Sequence, residues 1–267
     1  RAAPGLGGPD GTVGRGYPAP AAAPAATPAA SGSANPSQGE AAAAGIDAGV
    51  INQAIGSWAA ITQPARVLGV FDVSGSMNTK VPTAKGATRA EVTARAARVG
   101  LTLFDDKWSV GVWVFSTRMD GDKPYKELYP ISPLSVARNE INATTNQFGP
   151  KKGGGTGLYD TVLAAYKEVQ NGYVEGRVNS VLLFTDGKNE NPDGLTQAQL
   201  LAEMKKSTDP KKPVRLVIVG IGTGVDKGEL EKITAVTPAG GVFLAPDESK
   251  ITDIFLQAMA SRTGAKG

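Results

Sequence analysis

Five oxygen-bearing side chains stand out, because each follows a strand-like run or lies in a glycine-rich turn. They are Asp72, Ser74, Ser76, Thr156 and Asp186. Carboxylate and hydroxyl oxygens are hard ligands that suit Mg²⁺, Mn²⁺ or Ca²⁺ and bind softer metals poorly. Two neighbouring carboxylates also repel one another unless a cation lies close to both. We therefore expect these five residues to form one oxygen-only metal site.

The elements around these residues would bring them together. Residues 67–71 form a short apolar run that predicts a buried parallel strand, and this strand leads directly into Asp72. A second such run, residues 178–184, leads into Asp186, and between the two a Gly-Gly-Gly-Thr-Gly turn carries Thr156. Taken singly, Ser74 or Thr156 is more simply explained as a helix cap or turn former. The set as a whole favours a metal site.

The rest of the domain alternates strand-like and helix-like runs. Further strands are predicted at 108–115, 125–131, 214–221 and 241–244, and helices at 90–104, 135–146, 157–170, 196–206, 227–235 and 249–261. Asp226 and Glu229 predict a capping box for the fifth of these helices. The alternation predicts an α/β fold: a doubly wound, mostly parallel sheet with helices on both faces and residues 125–131 as an antiparallel edge strand.

The beginning of the chain has a different composition. Residues 1–45 are mostly Ala, Pro and Gly, which predicts a disordered linker. Residues 46–64 carry apolar side chains at spacings of three and four, which predicts an amphipathic helix leading into a domain at residues 65–267. Because the chain begins at Arg1 without a Met, we expect it to be a piece of a longer protein.

Composition argues against several functions. The net charge is only +3 and the basic residues are spread along the chain, which gives nucleic-acid binding little support. No apolar run is long enough to span a membrane in this fragment.

The chain has no Cys and no His, so disulfides, thiolate chemistry and His-based acid-base catalysis are excluded. A metal-dependent phosphoesterase remains an alternative, but without an evident general base we expect no enzyme activity.

The three motif segments, taken together, resemble a known site. The pattern D-x-S-x-S at Asp72, Ser74 and Ser76, a Thr in a Gly-rich loop and a later T-D-G at 185–187 resembles the metal-ion-dependent adhesion site (MIDAS) of von Willebrand factor A domains. The resemblance covers residues 66–262. It implies a six-stranded sheet of order 3-2-1-4-5-6, with the site outside the ends of the two central strands. It also implies Mg²⁺, or else Mn²⁺ or Ca²⁺, with Ser74 and Ser76 as direct ligands.

The same resemblance implies a function. We expect a non-enzymatic, adhesion-type module whose metal ion accepts an acidic side chain of a partner protein. Lys151, Lys152 and Lys188 lie in the loops around the site, and we hypothesise that they steer an acidic partner, although such charges often serve only solubility. An alternative stays open: an intracellular assembly factor that works with an AAA+ ATPase, as in metal chelatases.

Residues 58–77, together with the Ala/Pro-rich segment before them, also resemble bacterial cell-envelope proteins that carry a solute-binding-like domain upstream of the A domain. This implies an extracellular or cell-envelope location. A cytoplasmic location remains open, since the absence of Cys is compatible with both compartments.

Overall fold

The computed structural model describes residues 64–261 of the 267 in the chain. The predicted linker at 1–45 and all but the last residue of the predicted helix at 46–64 lie outside the described residues. Within the described part, eight strands form, of which β2 (Lys80–Val81) and β3 (Ala87–Thr88) make a small separate hairpin. The six long strands are β1 (Ala65–Asp72), β4 (Ser109–Asp120), β5 (Lys123–Pro133), β6 (Val178–Thr185), β7 (Arg215–Ile221) and β8 (Gly241–Ala245).

These six strands form one sheet in the order β5-β4-β1-β6-β7-β8. Numbered along the chain, that is the order 3-2-1-4-5-6, which confirms the prediction. All neighbouring pairs are parallel except β4 with β5, so the edge strand is antiparallel as expected. The direction of connection reverses between β1 and β6, and this reversal creates a crevice outside the carboxyl ends of these two strands.

Helices cover both faces of the sheet. They are α1 (Arg89–Leu103), α2 (Leu134–Thr144), α3 (Leu158–Asn171), α4 (Gln197–Ser207), α5 (Lys227–Thr234) and α6 (Ile251–Ala260). One hydrophobic core lies under α1, α2 and α6, and a second lies under α3, α4 and α5. The central strand β1 serves both, because Val67 and Phe71 face the first core while Leu68 and Val70 face the second.

The structure differs from the sequence-based strand assignment in two places. β4 continues to Asp120, five residues beyond the end of the strand predicted at 108–115, and the chain turns only at Gly121 with φ +59°. The hairpin of β2 and β3 was not predicted, because each strand has only two residues.

The predicted capping box at α5 forms only in part. Asp226 accepts a hydrogen bond from the Glu229 amide at 3.1 Å, but the Glu229 carboxylate accepts one from the Tyr159 hydroxyl of α3 at 2.8 Å. A tertiary contact therefore replaces half of the local motif. Complete capping boxes occur instead at the start of α1, between Thr88 and Glu91, and at the start of α4.

Across residues 64–261, every helix is too short or too polar to cross a lipid bilayer.

Gly111 lies in β4 where the backbone of β5 passes very close. A Cβ added there would lie 2.9 Å from the Ile131 amide nitrogen and 2.6 Å from Ile131 Cγ1. We predict that Gly111→Ala lowers the free energy of unfolding by about 1–3 kcal/mol, because paired strands would have to separate. Urea denaturation measures this.

Gly149 provides the control, because a Cβ there would have no atom within 4 Å and its φ lies outside the left-handed range. Gly149→Ala should leave the free energy of unfolding unchanged to within about 1 kcal/mol. Equal effects of the two substitutions would contradict the close packing of β4 against β5.

Candidate metal centre

Asp72 and Asp186 lie side by side at the crevice between β1 and β6. The register pairs Phe71 with Phe184, so Asp72, the last residue of β1, lies next to Thr185, and Asp186 follows directly. Both carboxylates are buried, with 1% and 2% of their surface exposed. Two acidic groups are thus held close together with very little water around them.

A chain of hydroxyls connects the two acidic residues. The Ser74 amide donates to Asp72 Oδ1 at 2.8 Å, and the Ser76 hydroxyl donates to Asp186 Oδ1 at 2.7 Å. The two serine hydroxyls are 3.0 Å apart. Because Ser76 gives its only proton to Asp186, its oxygen is the acceptor in any hydrogen bond with the Ser74 hydroxyl. Ser74 is buried whereas Ser76 is exposed, so the cluster reaches solvent at Ser76.

Thr185 holds the other side of Asp72. Its hydroxyl is fully buried and donates to Asp72 Oδ2 at 2.7 Å. Burial raises the pKa of Asp72 to about 7, against the hydrogen bonds from Ser74 and Thr185, and the nearby Asp186 carboxylate adds to the rise. The site therefore penalises the charge of Asp72, and a cation placed beside it would offset that penalty.

The loop that carries Thr156 is fixed against both neighbouring segments. The Gly75 amide donates to the Gly154 carbonyl at 2.8 Å, and the Glu190 amide donates to the Thr156 carbonyl at 2.7 Å. Gly153 has φ +69°, and a Cβ on Gly154 would lie 2.2 Å from the Ser116 hydroxyl oxygen. The glycine run is therefore needed for a left-handed turn and for a close approach to β4.

Thr156 itself is 1% exposed, and its hydroxyl lies beside Gly187, the residue that follows Asp186: a Cβ on Gly187 would be 3.3 Å from Thr156 Oγ1. Among residues 64–261 this hydroxyl has no hydrogen-bond partner. Buried hydroxyls are normally paired, because losing water without a replacement costs about 1–3 kcal/mol. An unpaired oxygen at this position fits a ligand that comes from outside the chain.

A positive charge also contacts the cluster. Arg89, the first residue of α1, donates from Nη1 to Asp186 Oδ2 at 2.9 Å. The same guanidinium donates to Glu248 Oε1 from Nε at 3.1 Å and from Nη2 at 2.9 Å. The hydrogen-bonded cluster thus contains three carboxylates and one guanidinium, which leaves an excess of negative charge when all are ionised.

The donor set suits a hard divalent cation. Within residues 64–261 no group of three or more His, Cys, Asp or Glu side chains is arranged to hold a metal. A metal at this site would therefore depend on hydroxyl oxygens in addition to the two carboxylates. This combination is compatible with Mg²⁺, Mn²⁺ or Ca²⁺.

The three lysines predicted at the rim have different surroundings. Lys151 donates from Nζ to the Thr117 carbonyl at 2.8 Å and also to that of Arg118. Its ammonium group therefore fixes the loop that carries Lys151 against the end of β4. Lys152 is exposed, and Lys188 lies 3.7 Å from Asp226 in an exposed ion pair. Lys152 and Lys188 are thus the members of the set whose charge faces solvent.

Sequence reasoning assigned no role to Thr185, Arg89 or Glu248. Thr185 could have been found, because it belongs to the T-D-G motif and directly precedes Asp186. Arg89 and Glu248 carry no such signal. Their shared contact joins residues 159 positions apart, and it becomes visible only when α1 and the start of α6 are in place.

The comparisons with known proteins agree with the fold. The sequence profile of the von Willebrand factor type A domain matches residues 67–257. Two uncharacterized proteins from strains of Mycobacterium tuberculosis are each 30% identical over 158 residues, which is 55% of this chain and 22% of theirs. This chain thus corresponds to a minor part of the length of those relatives.

Solved structures share the fold at low sequence identity. The von Willebrand factor type A structure from Catenulispora acidiphila aligns with a TM-score of 0.59 and 21% identity, over 75% of this chain and 43% of that one. Proximal thread matrix protein 1 from the mussel byssus, solved with a zinc-occupied MIDAS motif, aligns with a TM-score of 0.56 and 19% identity, over 74% and 48% of the two chains.

The sheet order, the helices on both faces and the profile match lead to one conclusion: this chain belongs to the von Willebrand factor type A domain family.

Proposed function

We propose that this domain binds a divalent cation through Asp72, Ser74, Ser76, Thr156 and Asp186, and that the bound ion accepts a carboxylate of a partner protein. The observation that carries the proposal is the Thr156 hydroxyl, which is buried next to Gly187, one residue after Asp186, without a hydrogen-bond partner in residues 64–261. The membership of the chain in its family supports it, since a member of this fold holds zinc at its MIDAS motif.

The chemistry of the donors favours a binding role. Ser74, Ser76 and Thr156 are neutral, so they would leave a dication with more positive charge than an all-carboxylate site does. Ser76 is exposed, so a ligand can approach the ion from solvent. A carboxylate is the protein group that best satisfies an exposed hard cation. We infer Mg²⁺ as the resident ion, with Mn²⁺ or Ca²⁺ as the alternatives.

The contacts of the two aspartates do not favour a hydrolytic enzyme. Both oxygens of Asp72 and of Asp186 accept hydrogen bonds within the site, and the chain has no His or Cys. A hydrolytic metal site needs a group that can take a proton from the attacking water. We therefore propose a non-enzymatic module.

An extracellular or cell-envelope location is part of this proposal. It is supported by the similarity to a matrix protein of the mussel byssus and by the sequence resemblance to cell-envelope proteins. No observation favours the alternative of an intracellular partner of an AAA+ ATPase.

Thr156→Val tests the metal ligand set. Replacing the unpaired hydroxyl with a methyl group removes a desolvation penalty, so in EDTA the free energy of unfolding should stay the same or rise by about 1 kcal/mol. Affinity for Mg²⁺ or Mn²⁺, measured by titration calorimetry, should fall by about 10- to 100-fold, because one ligand is lost.

Asp193→Asn serves as the control, because Asp193 is a largely exposed carboxylate whose ion pair with Arg118 is 3.7 Å long. Its metal affinity should match that of the unaltered chain. A Thr156→Val protein that bound metal normally, or that was destabilised in EDTA, would show that the hydroxyl serves the fold and not the ion.

The second test addresses the partner's carboxylate. Immobilised domain should retain a specific protein from a secreted or surface fraction in Mg²⁺ but not in EDTA, and Asp72→Ala should retain none. Blocking the carboxylates of that fraction with glycinamide should also abolish retention, whereas blocking its amines should not. Retention of the same protein despite EDTA and carboxylate blocking would exclude a metal-bridged contact. Asp193→Asn again provides the matched control.

A further inference from the structure

Arg89 links the candidate metal site to the segment that begins the last helix. Its side chain is 15% exposed and lies between the fully buried side chain of Asp186 and that of Glu248, which is 18% exposed. Glu248 opens the short 3₁₀ turn Glu248–Lys250 that leads into α6. One guanidinium thus serves two carboxylates from distant parts of the chain.

The surroundings leave room for this arrangement. Gly222 follows β7 with φ +70°, and a Cβ there would lie 2.8 Å from Arg89 Nη2 and 2.9 Å from Glu248 Oε1. The Gly222 amide donates to the Ala245 carbonyl at 2.8 Å, which fixes this glycine against the end of β8. The Arg89 amide donates to the Thr79 carbonyl at 3.0 Å. The missing side chain of Gly222 therefore leaves the space that the guanidinium and the Glu248 carboxylate occupy.

Arg89 and a metal ion would compete for the same charge. Asp186 Oδ2 already accepts from Arg89, and its Oδ1 accepts from Ser76. A dication bound at Asp186 would lie close to the guanidinium in a buried place, where repulsion between like charges is weakly screened. Glu248 opposes this repulsion, because it neutralises the guanidinium and draws it away from Asp186.

We propose that Arg89 is an internal counter-cation that lowers the affinity of the site for divalent metal, and that Glu248 sets the size of this effect. The proposal rests on the metal site proposed above and adds two residues that do not touch the ion. The two residues have opposite effects on metal affinity: loss of Arg89 tightens metal binding, and loss of Glu248 weakens it. A purely structural role of the Arg89 contacts would make both substitutions weaken binding.

Titration calorimetry with Mn²⁺ or Mg²⁺ at low ionic strength tests these signs. We expect Arg89→Gln to increase affinity by about tenfold and Glu248→Gln to decrease it by a similar factor, as expected for a single charge at short range. In the double variant, Glu248→Gln should have little further effect, because Glu248 acts through the guanidinium. Arg95→Gln, which removes an exposed charge from the same helix, should change affinity by less than about threefold.

Stability provides a second readout that does not depend on a partner. Without Arg89 the buried Asp186 charge has no counter-ion, so Arg89→Gln should lower the urea midpoint in EDTA. Adding metal should raise the midpoint of Arg89→Gln by more than it raises that of the unaltered chain. If Arg89→Gln does not fold in EDTA, Glu248→Gln still tests the proposal, because this variant keeps the guanidinium on Asp186. Its metal affinity should be lower than that of the unaltered chain.

The outcomes separate this inference from the function it rests on. If neither the unaltered chain nor Arg89→Gln binds metal at millimolar concentration, the proposed metal site fails and the inference with it. If the unaltered chain binds metal but Arg89→Gln binds it equally or more weakly, or Glu248→Gln binds it more tightly, the inference is overturned and the metal site stands.

Discussion

Two carboxylates with little access to water, at the ends of adjacent parallel strands, determine the design of this part of the molecule. Asp72 and Asp186 are both almost fully buried, and at Asp72 burial penalises the charge while the Asp186 carboxylate adds repulsion. Every close contact of the pair relieves this cost: the Ser74 amide, the hydroxyls of Ser76 and Thr185, and the Arg89 guanidinium. A divalent cation would relieve it further, which is why we regard the site as built for one.

The fold explains why this arrangement forms where it does. The strand order places β1 next to β6, so two side chains more than a hundred positions apart meet at one edge of the sheet. The glycine-rich loop before α3 then fits over that edge, where it brings the Thr156 hydroxyl next to Gly187, the residue after Asp186. The two hydrophobic cores hold the strands in register from both faces, so the positions of the ligands follow from packing as well as from their own hydrogen bonds.

Much of this could be predicted from the sequence, for identifiable reasons. The apolar runs that become β1 and β6 each end directly before a polar motif, so both strands and the aspartates at their carboxyl ends were located closely. Contacts that depend on long-range packing could not be predicted. Arg89 is simply the first residue of a helix until α6 brings Glu248 against it. Lys151 is a basic residue in a loop beside the site, yet its ammonium group binds the carbonyls of Thr117 and Arg118 in β4.

The central claim is that a divalent cation lies among the hydroxyls and carboxylates at the ends of β1 and β6. Anomalous diffraction from crystals of this chain soaked in Mn²⁺ tests it most directly. Our account predicts one strong anomalous peak within about 2.0–2.4 Å of the Ser74 and Ser76 hydroxyl oxygens, with Thr156 and the two aspartates around it. Crystals with no peak at this position, or with manganese bound only elsewhere on the surface, would contradict the account.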